Sequence, residues 1–456
     1  KRSPTPHRRD SSYTHSPHPQ MFDAEHLSST LDSFKSPTVV VATTTFLAYV
    51  ISKYIQTSAS PSKQENDRHK QYNCQTIPNA TNPLPLLGHA LSYQKDPPQF
   101  LINQTQQLQS PIFKINLAGR HMIIVASSDE TLVKQVVNAK RSVLCAREAV
   151  SNVGFMYTLG EENVYRGTEF HKLVLKTYLG EHTRSDDVKM MDAQRAFEAF
   201  ERAFQTEVTK LSQGSSSSWN DRIEIPDFFT FVRTCFLRQN IDILLGSSLL
   251  RHIDNDNNGY FITQFLLFQD AVEDATAKAA ILPSYLSLPM ALWPMKRKRA
   301  KLQYHLSSLL NLVMENNDDS NKEDETALGP WLREFQKQNT STEKAAELIL
   351  GLLFASHKNP SIGCAQSFLY LVTHSDETEC EHVTREAQSI LSSSKQLAHS
   401  NLEQLCPHIH RCVMETLRVT AHTIGAIRFV KQDMVLQSLT HGNFLLKEGD
   451  TIAISH

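Results

Sequence analysis

The spacing of apolar and polar residues along the chain predicts a mainly α-helical protein with a minor β-sheet region. Apolar and polar residues alternate on both sides of residues 118–120, which predicts two short strands joined by a turn. Between residues 129 and 312 the apolar positions recur with the helical period, and polar stretches separate the predicted helices. A long helix is predicted to begin near Thr340, further helix reaches Thr420, and short strands follow.

The first part of the chain has a different pattern. Residues 1–34 are rich in Ser, Pro, His and Arg, so we predict disorder, with a transit peptide as the alternative. Residues 36–52 form an uncharged run between Lys35 and Lys53. Because polar sequence stands on both sides, this run has no neighbouring core to join. We therefore predict a membrane anchor helix over residues 36–55 rather than a buried strand or helix.

The rest of the chain is predicted to be a linker followed by one large domain. The linker, residues 56–88, ends in a hinge with Pro78, Pro83 and Pro85, which cannot be helical. The domain covers residues 89–456, and no internal repeat divides it. Basic residues are similar on both sides of the anchor, so charge alone does not set its topology.

Charge and cysteine content exclude two classes of protein. The formal net charge is -2 at pH 7, and no basic stripe is interleaved with aromatic residues, which argues against a nucleic-acid partner. The 7 cysteines are scattered and form no Cys-x-x-Cys pair. This favours reduced thiols in a protein facing the cytosol over a disulfide framework.

One stretch imitates a calcium loop. Asp254, Asp256, Asn258 and Gly259 stand at the first, third, fifth and sixth positions of an EF-hand loop. The twelfth position, which needs a bidentate Glu, is Phe265, and no second hand accompanies it. We predict a polar surface loop without calcium.

The stretch CPHIHRC, residues 406–412, imitates a zinc site because it contains two Cys and two His. If Pro407 opens a helix, His408 and His410 point to different faces, and their spacing matches no common zinc pattern. We predict the first turn of an ordinary helix and no metal.

The predicted central helix carries an interruption that attracts a functional interpretation. Thr340 and Glu343 form a capping-box pattern, and an apolar run over residues 345–355 follows. Pro360 then stands within the helical pattern, after the polar group at residues 356–359. Either two helices meet at Pro360, or one kinked helix has a widened turn that makes room for a ligand beside polar side chains.

A second helix, near residue 415, presents an acid and a base on one face. Glu415 and Arg418 have the i,i+3 spacing that permits an ion pair. The sequence VTAHTIGAIRFV follows directly, and it predicts a strand that carries Arg428.

Taken together, these features resemble the cytochrome P-450 family of heme-thiolate monooxygenases. The anchor, the hinge with PLPLLGHAL, the central helix and Glu-x-x-Arg stand in that family's order, over roughly residues 76–456. The sequence is most similar to the group of the sterol 7α- and 12α-hydroxylases and prostacyclin synthase, and next to the sterol 14α-demethylases. The resemblance implies the P-450 fold, mainly α with minor sheet.

The resemblance also implies roles for residues of the central helix. Ala355-Ser356-x-x-Asn359 matches the hydroxylase and prostacyclin synthase group, so Ser356 and Asn359 are the implied catalytic residues and Ala355 an implied heme contact. Most P-450s have an acid and an alcohol where Lys358 and Asn359 stand.

Three cationic or phenolic residues are the implied contacts of the propionates of heme b. Arg428 matches directly, whereas Tyr165 and Lys172 match through the stretch NVYRGTEFHKLVLKTYL. Glu415 and Arg418 are the implied ion pair that locks the helix beneath the heme to a downstream loop.

The family's Phe-x-x-Gly-x-x-x-Cys loop, which supplies the thiolate ligand, has no counterpart in this sequence. We therefore expect a P-450 fold lacking its C-terminal heme-ligand part, with no metal ligand in this chain, and a fragment that is inactive alone.

Three functions remain open at this point. The first is a monooxygenase that hydroxylates a sterol or other lipid with electrons from an NADPH-dependent reductase, anchored by a single pass in the endoplasmic reticulum membrane with its catalytic domain in the cytosol. The second is a lipid peroxide isomerase of the prostacyclin synthase type, which needs no reductase. The third is a heme-free membrane-anchored scaffold, if the chain truly ends at His456.

Overall fold

The computed structural model describes most of the chain from residue 74 onward. The described range is 74–455, except residues 86, 153, 168, 171–185, 215–222, 257–258, 283, 316–330, 332–334, 336, 393–401 and 421–423. The predicted disordered segment (1–34), the predicted anchor (36–55) and most of the predicted linker (56–88) lie outside it. The described residues all belong to one compact unit, Lys63–His456.

Helices dominate the described residues, as the apolar spacing predicts. The helices are α1 (Ala90–Lys95), α2 (Pro97–Leu108), α3 (Glu130–Asn138), α4 (Ala146–Asn152), α5 (Phe155–Thr158), α6 (Glu161–Tyr165), α7 (Asp186–Gly214), α8 (Phe228–Leu245), α9 (Ser247–Asn255), α10 (Tyr260–Ile281), α11 (Ser284–Ser287), α12 (Trp293–Glu315), α13 (Thr342–His374), α14 (Glu377–Ser392), α15 (Leu402–Leu405) and α16 (Pro407–Thr420). A π-helical turn, Leu288–Leu292, leads into α12.

Aspartate caps fix the starts of several helices. Asp96 accepts a hydrogen bond from the backbone N of Gln99 at 3.1 Å, and Asp129 accepts one from Leu132 N at 3.0 Å. Asp227 does the same for Thr230 N, also at 3.0 Å. An N-cap acceptor satisfies a backbone donor that has no partner within the helix, which favours helix initiation at that residue.

The strands form a five-stranded and a two-stranded sheet. The strands are β1 (Ile112–Leu117), β2 (Arg120–Ala126), β3 (Leu144–Cys145), β4 (Ile424–Val430), β5 (Met434–Ser438), β6 (Gly442–Leu446) and β7 (Thr451–Ser455). The larger sheet has the order β1-β2-β7-β4-β3, and β5 pairs with β6. Only β2 and β7 run parallel among these pairs; for example, Val125 lies opposite Ile454.

The turn between β1 and β2 occurs where the sequence predicts it. Ala118 has φ +50° and Gly119 has φ +89°. Glycine adopts positive φ without steric cost, so Gly119 is well suited to this tight connection. The predicted pair of short strands at this position is confirmed.

The proline-rich hinge contributes to the sheet edge. Asn79 forms a parallel bridge with Lys114, and Gln75 forms one with Phe444. Ile77 and Ala80 are buried. The described residues between 74 and 89 contain no helix, which agrees with the prolines in this stretch.

The two largest of several apolar clusters hold most of these elements together. The larger core lies among the helices and is built mainly from buried side chains of α8, α10, α12 and α13. The second core packs α3 against the sheets, with Leu132 and Ile452 both fully buried. Helix α13 crosses the larger core, and this position makes it the central helix of the protein.

The predicted polar loop around residues 254–265 is largely wrong. Asp254 lies in α9, where its Oδ1 is 2.6 Å from Arg238 Nη1. Asp256 Oδ2 is 2.6 Å from His305 Nε2, and Phe265 is fully buried in α10. Both acidic side chains thus contact residues of neighbouring helices, Asp254 on α8 and Asp256 on α12.

Among the described residues, no helix is both long enough and apolar enough to cross a membrane.

Candidate active site

Helix α13 runs without interruption from Thr342 to His374 and passes through Pro360. The interpretation with two helices meeting at Pro360 is therefore wrong. The helix is α-helical throughout, so the predicted widened turn is not present either. The contacts of a 33-residue helix on both sides of the proline outweigh the hydrogen bond that Pro360 cannot donate.

The N-terminal cap of α13 lies one residue later than predicted. Ser341, rather than Thr340, is the cap, and its hydroxyl accepts from Lys344 N at 3.4 Å. Thr340 instead accepts a hydrogen bond from Arg166 Nη2 at 3.3 Å. A hydroxyl engaged by a distant arginine no longer caps its own helix, which explains the shift.

Glu347 ties the buried first half of α13 to the helices beside it. Its Oε1 accepts from Glu162 N at 2.8 Å, and its backbone carbonyl accepts from Asn163 Nδ2 at 2.5 Å. Arg299 Nη2 of α12 lies 3.9 Å from Glu347 Oε2. Burial raises the pKa of the Glu347 carboxyl, although Arg299 acts in the opposite direction. These contacts fix the rotation of α13 about its own axis.

Within the polar stretch of α13, residues 356–359, one side faces the protein interior. His357 is fully buried, with Nε2 2.7 Å from the Arg233 carbonyl oxygen and Nδ1 2.9 Å from the Gln269 side-chain amide. Burial lowers the pKa of His357 to about 4. The ring is therefore neutral at pH 7; a proton on Nε2 satisfies the Arg233 carbonyl, and Nδ1 then accepts if the Gln269 amide presents its NH2 group in place of Oε1.

Lys358 faces the same interior side. Its side chain is 5% exposed and forms an ion pair with Glu273 of α10. Lys358 Nζ also lies 4.0 Å from Asp270 Oδ1. The ammonium is thus committed to acidic partners on a neighbouring helix.

The opposite side of α13 is open. Ala355 and Asn359 are exposed one turn apart, and Ser356 is partly buried beside them. No hydrogen bond to the Asn359 side chain is found in the described part of the protein. Cys364 is exposed on an adjoining part of the helix, yet surrounding protein raises the pKa of its thiol. Small and polar side chains at Ala355, Ser356 and Asn359 therefore line this side of the helix.

The structure brings Ala355, Ser356 and Asn359 together, as the implied site requires. Cys364, five residues beyond Asn359, is about 140° around the helix from it and does not share this side.

Helix α16 packs against the second half of α13 and carries the predicted acid–base pair. Cys412 Sγ lies 3.7 Å from the Ser367 carbonyl oxygen. Glu415 and Arg418 form a two-pronged ion pair, with Arg418 Nε 2.8 Å from Oε2 and Nη2 2.6 Å from Oε1. Their side chains are 62% and 71% exposed, so the pair leaves surface on both partners for further contacts.

Arg428 lies on β4 beside a bulge. The pairing of β4 with β7 changes register between Gly425 and Arg428, and Ala426 has φ +48°. Bulges redirect the side chains that follow them. Arg428 Nη1 donates to the Ile427 carbonyl oxygen at 3.0 Å, and no carboxylate pairs with Arg428 among the described residues.

The other two implied heme contacts are less well defined. Tyr165 is 55% exposed at the end of α6, a helix that packs against α13. Lys172 lies outside the described residues.

Two features taken separately would suit a flat cofactor that carries carboxylates. The open side of α13 has small side chains at Ala355 and Ser356, which permit close approach of a planar ring. Arg428 offers a partly buried cation without a competing carboxylate in the described residues, and charge-assisted hydrogen bonds to a carboxylate are strong.

Comparison with known proteins places the chain in a family. The family model described as Cytochrome P450 matches residues 78–456. Among curated proteins, lanosterol 14-alpha demethylase of Bos taurus is 21% identical over 369 residues, which is 80% of this chain. The chain spans 66% of that relative's length.

Proposed function

The chain belongs to the cytochrome P450 family, and we propose that its protein is a heme-dependent monooxygenase that hydroxylates a sterol or another lipid. The observation that carries the proposal is the open side of α13 at Ala355 and Asn359, within the residues matched by the family model. The similarity to lanosterol 14-alpha demethylase supports a sterol-like substrate.

Bound heme would supply the oxygen chemistry. In the proposal, Arg428, Lys172 and Tyr165 hold the carboxylates of heme b, and Ala355 contacts its face. The Glu415–Arg418 pair lies within α16, and in the proposal its exposed surface binds a loop of the protein, which would lock the helix in place.

Asn359 and Ser356 are the proposed polar groups on the reacting side. The Asn359 amide both donates and accepts hydrogen bonds, so it could orient a substrate hydroxyl or an ordered water, but it does not release a proton at neutral pH. The Ser356 hydroxyl lies one helical step from Ala355 and is a second donor. Proton supply would then come through ordered water or the substrate itself.

A second candidate is a lipid peroxide isomerase. The ion pair of Lys358 with Glu273 supports it, since the residue before Asn359 is not available as a proton donor on the open side. Rearrangement of a peroxide requires no reductase and no protons for oxygen cleavage.

We also propose the partners and location of the whole protein. The monooxygenase would take electrons from an NADPH-dependent reductase. Residues 36–55 would anchor it by a single pass in the endoplasmic reticulum membrane, with residues 89–456 as part of a cytosolic catalytic domain. Carbonate extraction of the expressed protein tests the anchor, because complete release into the supernatant contradicts it.

The function is tested on the full-length protein, expressed with its complete coding sequence. The reduced carbon monoxide difference spectrum should show the Soret band of a thiolate-ligated heme, and its absence contradicts the proposal. Arg428→Gln should lower heme content, whereas Arg385→Gln, an exposed arginine on α14, should leave it unchanged.

A turnover assay separates the two candidates. Sterol hydroxylation that depends on NADPH, reductase and oxygen supports the monooxygenase. Conversion of a lipid hydroperoxide without reductase supports the isomerase instead.

A further inference from the structure

Two neighbouring helices bring one carboxylate and two imidazoles together at the protein surface. Glu379 and His382 lie one turn apart on α14, and His408 lies in the first turn of α16. A potential ligand atom from each residue lies within 4.8 Å of the other two. The sequence predicts no metal at residues 406–412, because His408 and His410 face different ways. The partners that His408 finds are on another helix.

The spacing within this Glu379–His382–His408 cluster suits a small metal ion. His408 Nδ1 lies 3.1 Å from Glu379 Oε1, and His382 Nδ1 lies 3.9 Å from Glu379 Oε2. The two imidazole centroids are 4.5 Å apart. Ligands at about 2.0–2.1 Å from a tetrahedral zinc ion are roughly 3.3 Å from one another. The two measured distances lie on either side of that value.

The backbone around His408 is already held in place. Glu386 of α14 accepts hydrogen bonds from His408 N at 3.0 Å and from Ile409 N at 3.0 Å. This carboxylate caps α16 and fixes the start of that helix against α14. A preformed arrangement of ligand-bearing backbones lowers the ordering cost of binding.

The solvent exposure of the cluster favours access of a cation, whereas a neighbouring positive charge disfavours its binding. The side chains of Glu379, His382 and His408 are 36%, 36% and 25% exposed, so an ion can reach them from solvent. Arg411 opposes binding, because its Nη2 lies 2.9 Å from His408 Nδ1. Arg411 is itself exposed and can turn outward when a cation occupies the cluster.

We propose that Glu379, His382 and His408 bind a divalent transition-metal ion, with Zn²⁺ as the best match, and that the ion cross-links α14 to α16. Two imidazoles with one carboxylate are a zinc-type donor set, whereas calcium and magnesium prefer all-oxygen ligands. Water would complete the coordination. The proposal does not depend on the proposed heme enzyme.

The ligand set is tested by measuring the zinc affinity of the metal-stripped full chain. A chromophoric chelator competes for the zinc in this titration. One ion per chain is expected. His382→Gln, His408→Gln and Glu379→Gln should each weaken binding at least about tenfold, since even residues outside the ligand set change affinity that much. His410→Gln is the matched control and should bind like the original chain.

Three results would overturn the proposal. Loss of binding in His410→Gln, with retention in His382→Gln, would assign the ion to residues 406–412 alone. A thiolate charge-transfer band in the cobalt-substituted protein would identify cysteines such as Cys380 or Cys412 as ligands. Several weak equivalents that no ligand substitution changes would mean adventitious surface binding.

The proposed cross-link between α14 and α16 can be measured separately from the affinity for zinc. Zinc should slow amide hydrogen exchange in the first turns of α14 and α16, and it should raise the melting temperature as its concentration increases. Both effects should vanish in His408→Gln. Arg411→Gln removes the opposing charge and should bind zinc more tightly; equal or weaker binding would contradict the proposed position of the ion.

Discussion

Lys358 extends its ammonium toward Glu273 of α10, away from the side of α13 that carries Asn359. These two adjacent residues of one helix therefore lie in different environments. Lys358 is 5% exposed in an ion pair, whereas Asn359 is exposed. The helical offset of about 100° between neighbours produces this division.

The Lys358–Glu273 pair should be needed for stability because the ammonium is buried. In Glu273→Gln the Lys358 ammonium keeps only the more distant carboxylate of Asp270 as a partner. This change should lower the free energy of unfolding by roughly 1–3 kcal/mol. The double variant Lys358→Met with Glu273→Gln removes both charges and should recover most of the loss. Urea denaturation measures both variants, and a double variant as unstable as Glu273→Gln would refute the buried-charge explanation.

Asn359 should affect turnover more than folding. In the full-length protein, Asn359→Ala should reduce product formation per heme while heme content stays nearly unchanged, because the side chain makes no hydrogen bond among the described residues. His374→Ala, at the exposed end of α13, is the control. If Asn359 has only a structural role, its substitution will lower the free energy of unfolding and leave turnover per heme intact.

The sequence predicted the secondary structure best where a single local rule, such as residue periodicity, determines an element. The hairpin around Gly119 and the helical part of the chain follow from residue periodicity alone. The continuity of α13 through Pro360 could not be predicted, because it depends on tertiary contacts that compensate for the missing backbone donor. The cap at Ser341 likewise depends on Arg166, a residue 175 positions earlier in the chain.

His357 should make stability depend on pH. Its pKa is about 4 in the folded chain because burial disfavours the charged ring, against 6.5 for an ordinary histidine. The unfolded chain therefore binds the extra proton first as pH falls. Stability from this group is fully present above pH 6.5 and is lost progressively down to about pH 4, by on the order of 3 kcal/mol.

The variant His357→Gln isolates this effect, since glutamine retains a donor for the Arg233 carbonyl but does not titrate. Urea midpoints measured between pH 7 and pH 4.5 should fall less steeply for the variant than for the original chain. Parallel slopes would show that His357 is protonated equally in both states.

Two glycines of α13 should respond oppositely to alanine. A Cβ at Gly351 would lie 2.0 Å from Asn163 Oδ1, so Gly351→Ala must displace the amide that holds Glu347. We expect a loss of about 1–3 kcal/mol. At Gly363 the nearest atom would be Leu417 Cδ2 at 4.0 Å, so Gly363→Ala should be neutral or stabilise by about 0.5–1 kcal/mol. Thermal melts of the two variants provide the comparison.

The candidate site illustrates the limit of local patterns. Ala355, Ser356 and Asn359 share one side because they share one helix, and this could be predicted from their spacing. The joining of His408 to Glu379 and His382 could not, because it depends on how α14 and α16 pack. The direction of Lys358 likewise depends on acidic residues of α10, which no rule within α13 identifies.

The central place of β7 in the five-stranded sheet has a consequence for biosynthesis. Strands β1 and β2 leave the ribosome about 330 residues before Ile454, their partner across Val125, is translated. During that time β2 has an open edge with unpaired backbone groups, next to apolar side chains intended for the core. Folding of the sheet therefore waits until β7 has been translated, and until then the open edge of β2 can pair with other chains.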